Sequence, residues 1–548
     1  MIIGIDVGGT HADGVLLQKN SIIAKNKVSV DHDNLGDSII YLLESLLPED
    51  RTSLHRIHLS TTLCTNALVN NNLEKVGMLI QAGPGMNPDF LSCGEAVCFL
   101  SGAVDHRGQV IRGPGTAAVK DAIAEFKRSG IDSIGIVTKF SHRNSEHELW
   151  IRDQVKDEFA HVSMGHILSG MPNFPRRVYT TWLNSGLKSR FLEFKEGMEK
   201  GFAALGINCP CYILKADGGT MPFSSGCDLP CQSIHSGPSA SVMGALALVG
   251  GGDDTILLDI GGTTTDVALF ADGIPLLEPY GATVGGRPTL IRALQTRSVG
   301  LGGDSLVRMK DGEFLIGPDK QGPPFALGGN APTPTDAMIV LGTIEAGSKA
   351  RAEEAMLMLC PGKETNETAI ELLRCFADRV YDTVTEMIEE VFSRPVFTVS
   401  AFLEREKIIP DKLITIGGPA LALREVLEER FKLDCIVPED YEVANAVGAA
   451  RARLTVQASL YGDTTTKRLS IPEISLMETV GNRFDMMEAE ARLIDTVTTM
   501  AHDMGAVVTP KIDFIERLEM NTVRGFATTG KIIALKAQIR PGLDEEQE

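Results

Sequence analysis

One short pattern occurs twice in this chain of 548 residues. Ile2-Ile-Gly-Ile-Asp6-Val7 is apolar, Gly8-Gly9-Thr10 interrupts it, and Val15-Leu16-Leu17 is apolar again, with Asp13 just before it. Residues 256–270 repeat the order, with Asp259 ahead of Gly261-Gly262-Thr263-Thr264 and Asp266 behind. Strand, glycine turn, strand is a hairpin. Two copies so far apart mean two related domains rather than a solenoid. Length alone gives a prior of roughly three to four domains, so the repeat does more than length to limit the fold.

A Gly-Gly-Thr turn offers consecutive backbone N–H groups to an anion, with no Cβ in the way. The threonine hydroxyls of Thr10, Thr263 and Thr264 can donate to phosphate oxygens. Asp6 and Asp259, each at the end of a first strand, can hold Mg²⁺, mostly through water, because this ion dehydrates reluctantly. The plainer alternative is that Gly8-Gly9 and Gly261-Gly262 only tighten their hairpins, with Asp13 and Asp266 capping hairpin N–H groups. His11 is either a base beside the first turn or a packed, hydrogen-bonded side chain. A further glycine pair, Gly417-Gly418, follows the strand-like Leu413-Ile-Thr-Ile416 and precedes a helical pattern, where a flat ring could approach the backbone.

Strand and helix patterns alternate between and beyond the two copies, as in α/β architecture. Helical patterns are expected over 117–129, 177–204 and 444–454, and an amphipathic helix over 367–392. The apolar seam of that last helix is read as Ile370, Leu373, Ala377, Val380, Val384, Met387 and Val391. Strands are expected at 134–137 and 212–214. The polar stretch around 461–467 marks a boundary, and the acidic run 544–548 reads as a solvated terminus.

The order of phosphate loop, second phosphate loop, glycine pair and small-residue helix (Ala444-Asn-Ala-Val-Gly-Ala-Ala450) resembles the actin, Hsp70 and sugar-kinase superfamily over about residues 1–455. Within it, Ser60-Thr-Thr-Leu-Cys-Thr-Asn-Ala67, Ser141-His-Arg-Asn-Ser-Glu-His-Glu148, Lys215-Ala-Asp-Gly-Gly-Thr220, Ser236-Gly-Pro-Ser-Ala240 and Pro332-Thr-Pro-Thr-Asp-Ala-Met-Ile-Val-Leu-Gly342 resemble ordered stretches of the hydantoinase A / 5-oxoprolinase family. The chain departs from that family at His11-Ala12, where Phe-Thr is common. It departs again at Gly300-Leu-Gly302-Gly303-Asp304-Ser305, where a glycine is expected in place of Asp304. Compared with full-length family members, the C-terminal region looks short.

The resemblance implies an α/β fold with two ribonuclease-H-like (actin-like ATPase) lobes closing around Mg-ATP, and a small α+β C-terminal module. The expected divisions are 1–200, 201–455 and 456–548. It implies an ATP-dependent hydrolase that phosphorylates a cyclic amide (hydantoin, 5-oxoproline or lactam type) before water opens the ring. On that reading Asp6 and Asp259 organise Mg²⁺ and the γ-phosphate, and Asp13 or Asp266 orients a water or a substrate group. Gly8, Gly9, Thr10, Gly261, Gly262, Thr263 and Thr264 bind phosphate. Gly302, Gly303 and Asp304 lie near the nucleotide, and Gly417 and Gly418 lie against adenosine. Thr61, Thr62, Thr65 and Asn66 line a substrate pocket, unless that run is simply a helix N-cap. A second, hydantoinase B-like subunit and an oligomer are implied partners. The alternatives are a regulatory or reactivating ATPase and a small-molecule kinase of the same superfamily.

Composition narrows the rest. A net charge of −20 opposes a general nucleic-acid role, and no run of about 20 apolar residues suits a membrane span. Met1-Ile-Ile-Gly lacks the basic n-region of a secretory leader, and ten cysteines in this length are too dilute for a disulfide scaffold, so a reducing cytoplasm is expected. Cys209, Cys211, Cys227 and Cys231 number enough for zinc, but neither pair has C-x₂-C spacing, and buried or incidental free cysteines are the favoured reading. His142 and His147, five apart, do not share a helix face.

Overall fold

The computed structural model describes residues 1–31, 35–94, 96–393, 408–508 and 510–544. Of the expected acidic run, residues 545–548 lie outside the described residues, while Asp544 pairs with Arg56 at 2.7 Å. The chain divides into two compact units. One comprises Met1–Ser239, Glu278–Ala293 and Ala452–Glu548, and the other Ala240–Leu277 and Leu294–Arg451.

The first unit is built on the first hairpin. Strand Ile2–Val7 is buried throughout, which its continuous apolar run dictates. It pairs antiparallel with His11–Gln18, which pairs antiparallel with Ser21–Ser29. On its other side Ile2–Val7 pairs parallel with Arg56–Thr61, and that strand pairs parallel with Cys211–Leu214. Three antiparallel strands followed by two parallel ones form the ribonuclease-H-like sheet, here extended by Thr220–Pro222. Its core includes Ile3, Ile5, Leu42, Ile57 and Leu59. The 31-residue helix Phe174–Ala204 adds Leu183, Leu187 and Phe191 to the same core, and its N-terminus is capped by Asn173 and started by proline.

A four-stranded parallel sheet (His161–Met164, Ser133–Thr138, Val76–Gln81, Ala96–Phe99) lies in the same unit. So does a five-stranded antiparallel sheet built from Gln457–Asp463, Arg468–Ile471, Leu476–Thr479, Ile512–Arg524 and Ala527–Ile539. Helix Met486–Asp503 packs Leu493, Val497 and Ala501 onto Ile533 and Leu535, making this last region α+β.

The second unit repeats the plan. Thr255–Ile260 pairs antiparallel with Thr265–Ala271 and parallel with Lys412–Ile416, and Asp434–Ile436 extends the sheet in parallel. Thr296–Val299 pairs antiparallel with Thr265–Ala271, taking the third-strand position. Helix Thr365–Ser393 buries Leu373, Ala377, Val380, Val384 and Met387 as its periodicity predicts, but Ile370 is exposed. The first turns of its seam are instead Ala369, Leu372 and Phe376, because the apolar face drifts along a 29-residue helix. Helix Ala444–Arg451 ends three residues before its expected limit. Ala452 and Leu454 bridge to Leu543 and Thr220 as the chain returns to the first unit.

Candidate functional site

The two hairpins close in the same way. Gly8 N–H donates to the His11 carbonyl at 3.0 Å, and Gly261 N–H donates to the Thr264 carbonyl at 2.9 Å. Strand register sets Asp6 opposite Asp13 and Asp259 opposite Asp266. Thr10, Thr263 and Thr264 are exposed at the turns. The repeat seen in the sequence is therefore a repeat in backbone hydrogen bonding and cross-strand register.

Around the second hairpin, glycines permit three close approaches. A Cβ on Gly302 would lie 2.5 Å from the Thr263 nitrogen, so only glycine allows the segment 300–305 to lie on the turn. From there Gly303 N–H donates to the Gly261 carbonyl at 3.0 Å and Asp304 N–H to the Gly262 carbonyl at 2.6 Å. A Cβ on Gly262 would stand 2.9 Å from Asp304 Oδ2. Asp304 is held there by Lys320 at 2.9 Å and by the Thr335 hydroxyl at 3.2 Å. Gly417, at φ +90°, sits against Asp259, and a Cβ would meet Asp259 Oδ1 at 2.7 Å. The neighbouring Gly418 is exposed, and a Cβ on it would meet nothing within 4 Å. Loop 300–305, the glycine pair and Asp259 thus converge on one hairpin within one unit.

Two residues that the sequence did not single out complete this locus. Ser241 donates its hydroxyl to Asp259 Oδ2, and Asn445 Nδ2 donates to the same oxygen at 3.4 Å. They come from helices that cross at backbone contact. A Cβ on Gly244 would be 2.1 Å from the Ala444 carbonyl oxygen, and one on Gly448 would be 2.1 Å from that of Ala240. Each polar residue lies one turn before its contact glycine, and that spacing is the signal that would have located them. Ser298, opposite Asp266 across the strands, is the third. Burial and the nearby Asp259 charge push the Asp266 carboxyl up to about 6, against the opposing effect of a hydrogen bond from Ser298.

The first hairpin has different company. Asp13 lies opposite Lys27 and pairs with it at 3.0 Å. Asp6 is buried. His11 is exposed, with Nδ1 3.0 Å from the Thr10 hydroxyl, so it is not packed into the sheet. Val7 pairs with Thr61, which places the threonine run at the carboxyl end of a strand beside this turn. Thr62 is at the N-cap of helix Leu63–Val69 but makes no side-chain cap bond, and instead accepts from Asn66 at 3.2 Å. Thr61 accepts from Leu63 N–H and Thr65 from His235 N–H, both at 3.2 Å. Ser236 ties the two motifs together by donating to the Thr61 carbonyl at 3.0 Å.

Glu148 is fully buried and accepts from Thr138 N–H, His166 N–H and His166 Nδ1, while His166 Nε2 lies 2.9 Å from the Ser475 hydroxyl. His147 is held by Gln81 at 2.7 Å, and burial lowers the pKa of His142 well below its usual range. The cysteines are free, burial raises the Cys209, Cys211, Cys227 and Cys231 thiols, and among the described residues no group of three or more His, Cys, Asp or Glu is placed to hold a metal. Among the described residues, no helix is long and apolar enough to cross a membrane.

Comparison with known proteins agrees with this architecture. The hydantoinase/oxoprolinase model matches residues 177–458, and the hydantoinase/oxoprolinase N-terminal region model matches residues 2–159. The chain is 25% identical over 410 residues to the 5-oxoprolinase of Saccharomyces cerevisiae, covering 62% of this chain and 32% of that protein. It is 25% identical over 418 residues to the acetophenone carboxylase gamma subunit of Aromatoleum aromaticum, covering 65% and 56%. This chain therefore spans about a third to a half of the curated relatives it matches. Among solved structures, the ATP-dependent caprolactamase of Pseudomonas jessenii superposes with a TM-score of 0.73 at 18% identity, covering 98% of this chain and 87% of that one. A nucleotide-free acetone carboxylase superposes with a TM-score of 0.70 at 16% identity, covering 100% and 88%. At these identities the likeness is one of fold.

Proposed function

The chain belongs to the hydantoinase/oxoprolinase family, and on that premise we propose that it is an ATP-dependent enzyme that activates the carbonyl of a cyclic amide (hydantoin, 5-oxoproline or lactam type) by phosphorylation before the ring opens. The names of its relatives support ATP use and carbonyl activation. The observation that carries the reading is the second hairpin, with exposed Thr263 and Thr264, an open Gly418, and an Asp266 carboxyl that burial, and then the nearby Asp259 charge, push up to about 6.

An amide oxygen is a weak nucleophile and an amide nitrogen a poor leaving group. Transfer of the γ-phosphoryl of ATP to the amide oxygen, with release of ADP, makes the carbon electrophilic. One water then adds to that carbon and the protonated ring nitrogen leaves, which gives an acyl phosphate; a second water releases phosphate and leaves the carboxylate of the opened ring. The protein's share is positioning and charge stabilisation. Backbone N–H groups of Gly8, Gly9, Gly261 and Gly262, with the hydroxyls of Thr10, Thr263 and Thr264, bind phosphate oxygens, and Gly417 and Gly418 lie against adenosine. Asp6 and Asp259 fit Mg²⁺ held mostly through water, since a divalent charge would relieve the repulsion between Asp259 and Asp266. That ion supplies neutralisation of phosphate charge. Asp266 takes the proton of the attacking water, because a base with a pKa of about 6 is largely ionised at neutral pH yet still basic. Asp13, committed to Lys27, orients a substrate group instead. A second subunit is part of the proposal, since the acetophenone carboxylase relative is itself named as a subunit.

The test is ADP release measured with hydantoins, 5-oxoproline, lactams and ketones, with ring opening followed in parallel. Coupled release of ADP, phosphate and ring-opened product is expected. Accumulation of a stable phosphorylated compound would show a kinase instead. Stimulation by a protein partner but by none of the small molecules would show a reactivating ATPase.

A further inference from the structure

Within the first unit, a cavity of about 190 Å³ lies where strand Cys211–Leu214 ends. That strand is parallel to Arg56–Thr61, and Arg56–Thr61 is parallel to Ile2–Val7. The cavity therefore opens on the same sheet edge as Thr61 and the first glycine turn, about 10 Å along the sheet from the latter at ordinary strand spacing. Carboxyl ends of parallel strands are where α/β sheets bind ligands. None of the roles assigned above uses this cavity.

Its polar wall is unusual in charge. Lys215 and Arg292 both turn to one carboxylate, Asp217, at 3.5 and 3.0 Å. Asp217 also accepts from Gly219 N–H at 3.0 Å and from the Thr455 hydroxyl at 2.9 Å, so its oxygens are already well supplied with donors. Lys215 donates once more, to the Thr455 carbonyl at 2.9 Å. The other carboxyl in the wall, Glu473, does not balance the second cation. Its two oxygens instead accept from the N–H groups of Gly170 and Ser459 at 3.2 and 3.1 Å, and among the described residues it forms no ion pair with Lys215 or Arg292. Two cations thus share one committed anion, their other hydrogen bonds going to the neutral oxygens of Thr455 and Gln538, so the positive charge at this wall exceeds the paired negative charge. The rest of the wall mixes neutral polar side chains such as Thr180 and Gln457 with apolar ones, among them Met500 and Met504 from the C-terminal helix and the turn after it. Methionine thioethers adapt to ligands of varied shape.

We propose that this cavity binds a small monocarboxylate with a compact apolar body, its carboxylate against Arg292 and Lys215 and its body against Met500 and Met504. The site goes beyond the hydrolase reading and does not depend on it, because binding is read without nucleotide turnover. Arg292 presents a planar fork, one arm of which holds Asp217 while the other donates to the neutral Gln538 amide oxygen, the contact that a bound carboxylate would replace.

The experiment is isothermal titration of the full chain with cyclohexanecarboxylate and with its neutral isostere cyclohexanecarboxamide. The acid is expected to bind at least about tenfold more tightly, as a charge-assisted pair in a buried site requires. Arg292→Gln is expected to remove that preference, and Met504→Phe to weaken both compounds by narrowing the apolar end. Melting temperature is measured for each variant, and if Arg292→Gln does not fold, Met504→Phe alone decides. Equal affinity for acid and amide, no binding of either compound, or binding unchanged in the folded variants overturns the proposal. Binding of the acid with no small-molecule stimulation of ADP release would leave this site standing while removing the hydrolase reading. Amide-stimulated turnover with no acid binding would do the reverse.

Discussion

The two glycine hairpins share a turn bond, a register and five matched residues, yet their second aspartates live in opposite electrostatic surroundings. Asp13 faces Lys27 across the strands, whereas Asp266 faces Ser298 and feels Asp259. A duplicated backbone therefore holds one carboxylate neutralised by a cation and another raised to about 6. The lesson is that a repeated glycine-turn signature specifies backbone geometry, while the residues around each copy decide the charge its second carboxylate carries.

The largest effect should come from the first aspartates. Asp259→Asn is expected to lower ATP turnover by on the order of 10²–10³-fold without changing the melting temperature by more than a few degrees. Asp6→Asn should show a comparable loss. If Asp259→Asn keeps full turnover in an ADP-release assay, the assignment of the second hairpin fails. Next comes the pair that separates the hairpins. Asp266→Asn should lower kcat by about 10²-fold and abolish an acid limb near pH 6, whereas Asp13→Asn should leave that limb in place. A limb that disappears with Asp13 instead would reverse the roles.

The same shift predicts a stability effect of defined sign. The folded-state pKa of Asp266 lies above its unfolded value, so the stability it confers is full below about pH 4 and is lost as pH rises through about 6. Chemical denaturation should therefore show Asp266→Asn gaining on the native chain by ~2 kcal/mol between those limits, allowing for partial solvent screening of a half-buried group. A smaller contrast concerns the second glycine of each turn. Gly262→Ala meets Asp304 Oδ2 and should cost about 1–3 kcal/mol. The equivalent Gly9→Ala meets nothing within 4 Å and should stay within about 0.5 kcal/mol. Smallest of all is Lys27→Met, which removes a half-exposed ion pair and should cost at most about 1 kcal/mol.

Local chemistry explains what could be read in the chain itself. The hairpins were legible because an apolar run, two glycines and a second apolar run leave few other conformations. The partner of Asp13 was only partly legible, since the short turn at Lys19-Asn20 alone would set Asn26 opposite it, and a β-bulge between Leu16 and Leu17 shifts the register to Lys27. Ser241 and Asn445 were not, because they meet Asp259 only after two sequence-distant helices touch through Gly244 and Gly448. Nor was Lys320, which reaches Asp304 from beyond a short hairpin. The Ile370 misreading has the same root. Periodicity gives a helix a face, but the packing partners choose where on that face the seam runs. The cavity near Lys215 and Arg292 draws on segments scattered from Ile167 to Met504 that no local pattern joins.

The way the units are threaded carries a consequence for biosynthesis. Every residue of the second unit lies inside an interruption of the first, complete once Arg451 has been made. The first unit needs Thr455 for the buried Lys215, Asp463 for Arg107 and Asp544 for Arg56, contacts that join residues up to 488 positions apart. Such distant closures are slow, and domains tend to fold as units during synthesis. The nested unit should therefore become protease-resistant on the ribosome before the unit that encloses it. The first glycine hairpin, although synthesised ahead of the nested unit, would be among the last parts of the protein to acquire its final surroundings.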